Sequence, residues 1–183
     1  MFQLLDFQKF RDTPSVQFFD ITVPASNARD LVYHEGPAIS PNNDDNNAWQ
    51  FYLHPHQEDN LLALSGGRTF HLINFEWDHP YHVVRLDANR HILRIPPGTF
   101  HRSESDLKGS LVINQAVRAE NTNVQHEFRV YSSGNVPKLY DLLASQIQPS
   151  YHGFEDRDLE GQSREEKGFE EHSRKESDFP QAA

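Results

Sequence analysis

The stretch His54-Pro55-His56-Gln57-Glu58-Asp59-Asn60, running on into Leu61-Leu62-Ala63-Leu64-Ser65-Gly66-Gly67, decides how this sequence is read. On a strand, positions i and i+2 point to the same face, so His54 and His56 are expected to aim their imidazoles at one point. Neutral imidazole is the commonest side-chain ligand for Zn, Fe, Ni and Cu, which makes the pair half of a candidate metal site. Taken alone, the pair also fits two exposed or hydrogen-bonded histidines beside a turn.

A second element follows downstream, Pro96-Pro97-Gly98-Thr99-Phe100-His101. A Pro-x-Gly turn sets a tight reversal, because Pro presets φ and Gly tolerates positive φ. Such a turn can deliver the next histidine inward from a neighbouring strand. Around these motifs, from Trp49 to Ser132, the chain reads as successive short strands: QFYLHPH, NLLALSGG, RTFHLINF, YHVVRLDA, HILRIPPG, SLVINQAV and EFRVYS. They are rich in Leu, Val, Ile and Phe, and SGG, DAN, PPG and DLKG read as the turns between them. Short strands at this spacing, with no helical period between them, predict an all-β sandwich or barrel.

The two motifs together resemble those of the cupin superfamily, the RmlC-like jelly-roll barrels. There the first motif runs His-x-His, then a Glu, then a Gly, and the second runs Pro-x-Gly-x-x-His. His54 and His56 fill the first, with Gly66 or Gly67 closing it; Pro96, Gly98 and His101 fill the second. The resemblance spans roughly residues 48–118. It implies a double-stranded β-helix barrel, a homodimer, and one divalent transition metal (Fe, Mn, Ni, Zn or Cu) held by His54, His56 and His101. The expected Glu is missing. Asp59 or Asn60 stands at its place, depending on which Gly closes the motif. Asp59 is the preferred carboxylate, with Glu58 or a site of histidines and water as alternatives. The second motif also lacks its leading Gly, replaced by Arg90, and its trailing Asn, replaced by Ser105.

Other positions carry weaker signals. Tyr52 and His71 are candidates to line a substrate cavity. Asn114 and Gln115 are adjacent in a strand, so one of them points inward, and Gln115 is taken as the lining residue. Arg94 and Arg102 flank the second motif and could anchor an anionic substrate or form surface ion pairs. The Leu53–Gln57 run is also similar to the nucleotide-sugar epimerase branch of the cupins, where a histidine acts as a general base without metal. That branch's Arg-Gly before the histidine is Phe51-Tyr52 here, and its basic residue in the next strand is absent.

Composition sets the outer bounds. The 183 residues suffice for one domain with spare length, and 36% apolar content with 13 Phe and 6 Tyr is adequate for one core. Residues 1–47 read as N-terminal strands, or a helical turn and a strand, with a loop at SPNNDDNN, all packing on the barrel of 48–135. VPKLYDLLASQI predicts a helix over 136–148, with Pro137 suited to its first turn. Residues 149–183 read as a charged, largely disordered tail, whose ten acids and five bases give it half the net charge of -10. That acidity argues against nucleic acid or an anionic membrane as partner. With no cysteine, disulfides and thiolate sites are excluded. The start lacks the pattern of a secretory signal, and a cytoplasmic location is the default expectation.

These readings converge on a metal-binding cupin acting on a small organic substrate. Dioxygenase chemistry comes first by resemblance and isomerase chemistry second. A non-catalytic cupin that binds a small molecule or metal is the alternative, and a metal-free sugar epimerase or isomerase the further one.

Overall fold

The computed structural model describes residues 1–120 and 127–146. The expected tail at 149–183 and the last two positions of the expected helix lie outside the described residues. Eleven strands and one helix make up the described part. They are β1 (Gln3–Leu5), β2 (Gln8–Asp12), β3 (Gln17–Asp20), β4 (Ala28–His34), β5 (Ile39–Ser40), β6 (Gln50–Leu53), β7 (Gln57–Ile73), β8 (Tyr81–Asp87), β9 (Ile92–Ile95), β10 (Phe100–Arg118) and β11 (Arg129–Ser132), followed by α1 (Pro137–Gln146).

Nine of the strands form one antiparallel sheet that bends into two walls, and β2 pairs with β3 as a separate hairpin. The long strands β7 and β10 belong to both walls. The first half of β10 pairs with the second half of β7, Phe100 opposite Ile73 through Ser105 opposite Arg68. Its other half pairs with the first half of β7 and with β4, which runs Ser110 opposite His34 to Ala116 opposite Ala28. β6 and β11 extend the first wall, and β9 and β1 extend the second.

Two expected turns are therefore not turns. SGG and DLKG lie inside continuous strands, where the register of β7 against β10 shifts between Ser105 and Ser110. Gly66 and Gly109 sit there at φ of 65° and 80°. A Cβ on Gly66 would stand 2.2 Å from the carbonyl oxygen of Gly109, and one on Gly109 would stand 2.2 Å from that of His34. Only glycine permits so close a backbone approach at that dihedral. Outside the bulge, Arg85 grips both oxygens of Asp106 at 2.7 Å. The second correction concerns residues 1–47. β4 is a wall of the barrel rather than a cover, paired along its length with β10.

The inner face buries Leu61, Ala63, Phe70, Leu72, Leu93, Ile95 and Val112. A second cluster lies on the outer face of the first wall, where Leu139 and Leu143, one helical turn apart on α1, pack on Phe51 and Ile73.

A glycine pair separates backbone strain from crowding. Gly98, at φ 74°, has open space where its Cβ would be. Gly98→Ala should therefore cost about 1 kcal/mol from the left-handed backbone alone. Gly109→Ala should cost about 3 kcal/mol, because its Cβ also meets a backbone oxygen. Urea unfolding of both variants reads the difference, and equal losses would mean the bulge gives way freely.

Candidate active site

The cavity between the two walls has a volume of about 220 Å³. Three buried ionisable side chains converge in it: His54, Asp59 and His101. His54 follows β6, Asp59 lies near the start of β7, and His101 lies at the start of β10, opposite Tyr52. The Pro-Gly turn reaches the first motif through its backbone, the Gly98 N–H donating to the His54 carbonyl at 2.8 Å. Two motifs far apart in sequence are thereby joined by a main-chain bond.

Each histidine is held with one nitrogen tied back. His54 Nδ1 donates to the carbonyl of Glu127 at 2.7 Å, and His101 Nδ1 donates to that of Thr99 at 3.1 Å. In the neutral ring this leaves each Nε2 as a bare acceptor. Both point at one oxygen of Asp59, Oδ2, at 3.5 and 3.6 Å. The other oxygen, Oδ1, accepts from Gln57 Nε2 at 2.6 Å and Asn114 Nδ2 at 2.8 Å. Two amides thus fix the carboxylate, and its free oxygen faces two nitrogens at a spacing that a direct hydrogen bond does not reach. Burial pulls the imidazole of His101 below its ordinary range, His54 pulling the same way and Asp59 opposing.

His56 does not join them. Residues 54–56 form a bend between β6 and β7 rather than a strand, so the rule that aligns i with i+2 does not apply. Its side chain is 68% exposed and bonds Glu127 Oε1 through Nδ1 at 2.8 Å, while its backbone N–H donates to Oε2 at 2.9 Å. Burial works against the charge on Glu127; these bonds outweigh it and hold the carboxyl below the usual glutamate range. Glu58 also lies elsewhere, paired with Arg94 at 3.3 Å.

Of the expected lining residues, Tyr52 is in the cavity wall, its ring stacked near His54 and its hydroxyl 3.3 Å from Ser40 Oγ. His71 and Gln115 are not. His71 lies on the outer face, bonded to the Tyr81 hydroxyl at 2.7 Å and packed on Trp49. Gln115 turns to the N-terminal segment, accepting from Val23 N–H at 3.2 Å. His71 alternates with Phe70 and Leu72 of the inner core, and Gln115 with Asn114 of the cavity wall, so both point the other way. Asn114 is the inward member of its pair. Arg102 is buried outside the cavity, over the Trp49 ring at 4.3 Å. Arg68, Asn114 and Phe128 line the cavity without having been expected there.

No protein-family model matches the sequence, and no curated protein does. Solved structures do match the fold. QdtA, a sugar 3,4-ketoisomerase from Thermoanaerobacterium thermosaccharolyticum solved with TDP, is similar at TM-score 0.54 and 11% identity, covering 80% of this chain and 96% of that one. The RmlC epimerase of Mycobacterium tuberculosis is similar at TM-score 0.54 and 14% identity, covering 75% of this chain and 72% of that one. The dTDP-4-dehydrorhamnose 3,5-epimerase of Bacillus anthracis, solved with TDP and PPi, has TM-score 0.53 and 16% identity, covering 68% and 75%.

The barrel has the fold of the RmlC-like cupins. Asp59, the preferred carboxylate of the sequence reading, is the one that faces both imidazoles, and Glu58 is not.

Behind Asp59 the cavity ends on a polar chain. His34 Nδ1 bonds Ser105 Oγ at 2.7 Å, Ser105 bonds Ser110 Oγ at 2.8 Å, and Ser110 accepts from Arg68 Nε at 2.7 Å. Burial, with Arg68 assisting, lowers the pKa of His34 from 6.5 to about 4. The fold therefore prefers neutral His34, so its contribution is complete above pH 6.5 and is lost as the pH falls through about 4. His101 acts in the same direction. The melting temperature should decline across that window and decline less in His34→Gln; equal slopes would show that His34 is not responsible.

Proposed function

We infer that this cupin is an isomerase acting on a sugar-like hydroxy-ketone, with His54 and His101 as its proton-transfer pair. The convergence of two Nε2 atoms on one fixed carboxylate oxygen inside the cavity carries this reading. A base that removes the proton from a carbon beside a carbonyl leaves an enediolate. Returning the proton to the neighbouring carbon moves the carbonyl, and returning it to the other face of the same carbon inverts the centre. No atom is gained or lost. One imidazole handles the carbon-bound proton while the other moves the hydroxyl proton between the two oxygens. Asp59 offsets the positive charge that each ring carries in turn, as a carboxylate beside an imidazolium does.

The similar solved structures support this class over oxygenase chemistry, since they are described as ketoisomerases and epimerases, one of them bound to TDP-4-keto-6-deoxyglucose. The substrate class taken from them is a keto-sugar, free or linked to a nucleotide. A cavity of about 220 Å³ has room for the sugar end, so a nucleotide would remain outside.

A second reading uses the same three residues. Two bare imidazole nitrogens and a carboxylate oxygen are a donor set that suits a divalent cation of the Fe, Mn, Ni, Zn or Cu group. Their 3.5 and 3.6 Å spacings are close to the edge of about 3.4 Å expected for tetrahedral bonds of about 2.1 Å. His54, His101 and Asp59 would hold it, and bound there it would polarise a substrate carbonyl as a Lewis acid. His56 has no part in such a site.

Incubation with keto-sugars, free and TDP-linked, in deuterated water tests the first reading by NMR. The wild type should incorporate deuterium beside the carbonyl, and His54→Gln or His101→Gln should slow this by about 100-fold or more. His56→Ala should remain within about threefold, as its ring is outside the cavity. Full exchange in both cavity variants would sink the assignment. Equilibrium dialysis against each of the five metals tests the second: one equivalent per chain, lost in His101→Ala, supports it.

A further inference from the structure

The cavity contains a buried cation whose charge nothing nearby answers. Arg68 is 3% exposed and lines the same cavity as His54 and His101. Its Nε donates to Ser110 Oγ and one terminal nitrogen, Nη2, to the Val32 carbonyl at 2.8 Å. Both acceptors are neutral. The other terminal nitrogen, Nη1, has no protein acceptor among the described residues, and no carboxylate pairs with the guanidinium there.

Each charged or titratable neighbour is otherwise engaged. Asp30, which also lines the cavity, is bound to Arg118 Nη2 at 2.9 Å. Asp59 is held by Gln57 and Asn114 and faces the two histidines. His34 is kept neutral at pH 7. Burial lowers Arg68 only to about 10, so it stays charged. A buried, uncompensated charge is costly, and such groups are normally paired with an opposite charge. Ser110, itself bridged to Ser105, meanwhile holds the guanidinium by Nε, in a residue that lines the cavity.

We propose that Arg68 is the anchor for an anionic group on the substrate, a carboxylate carried by the same small molecule whose carbonyl is processed at His54 and His101. The occupant is thus an acidic keto-sugar or a comparable hydroxy-keto acid. A carboxylate suits the unengaged Nη1, and its two oxygens match the planar donors of a guanidinium. A phosphate offers the same charge at greater bulk. This substrate class rests on the isomerase reading, but the anion site at Arg68 does not depend on it.

Isothermal titration of the full chain with glucuronate, glucose 6-phosphate and glucose tests the proposal. Glucuronate should bind the wild type at least about tenfold more tightly than glucose. Arg68→Gln should abolish that preference, and Arg68→Lys should keep part of it. Tighter binding of the phosphate than of glucuronate overturns the choice of carboxylate. Equal binding of glucuronate and glucose to the wild type overturns the anion site, and this reading holds even if Arg68→Gln fails to fold. His54→Gln should retain the preference for glucuronate. Loss of proton exchange in that variant with an intact preference in Arg68→Gln defeats the anchor alone, whereas an Arg68-dependent preference without exchange in the wild type defeats the isomerase alone.

Discussion

Two strands long enough to serve both walls have to bend, and the bend at Gly66 and Gly109 governs the interior. At that point the backbones come too close for any side chain, and the extra residues reverse the inward and outward faces of β7 and β10. Before the bulge β10 sends His101 and Ser103 into the cavity; beyond it Ser110, Val112 and Asn114 point in. The same reversal in β7 brings both Asp59 and Arg68 inside. The acidic centre and the buried guanidinium are therefore products of one irregularity shared by a pair of strands.

The electrostatics of the interior follow from how few of its charges have partners. Asp59 spends one oxygen on two amides and keeps the other for two imidazoles. Burial and mutual repulsion disfavour a proton on His101, which makes it a base in waiting rather than a standing cation. Arg68 contributes positive charge at the far end of the polar chain through Ser110. An interior with a proton acceptor at one point and a fixed cation at another suits a ligand that is both reactive and charged, and gives it one orientation.

The sequence made the barrel and all three of its central residues legible, and physical reasons account for what it hid. His101 was found because the Pro-Gly turn preceding it has a strong local signature, and Asp59 because the closing glycines set the count back to it. His56 was misjudged because Pro55 draws the chain into a bend where strand alternation fails. His71 and Gln115 were named as lining residues without a register to say which face each occupies, and no single residue in SGG or DLKG distinguishes a bulge from a turn. β4 was overlooked because Arg29-Asp30-Leu31-Val32 does not alternate polar with apolar residues, Asp30 sharing the cavity face with Val32. Arg68 carried no signal at all, since its position inside depends on that same change of face.

Glu127 links the two histidines of the first motif in a way that neither reveals alone. Its main-chain oxygen decides which nitrogen of His54 bears the hydrogen, while its carboxylate grips the ring and backbone of His56. That carbonyl orients an imidazole 73 positions away in sequence. A binding event or substitution that drew Glu127 away would free His54 to exchange tautomers while leaving its ring in the cavity.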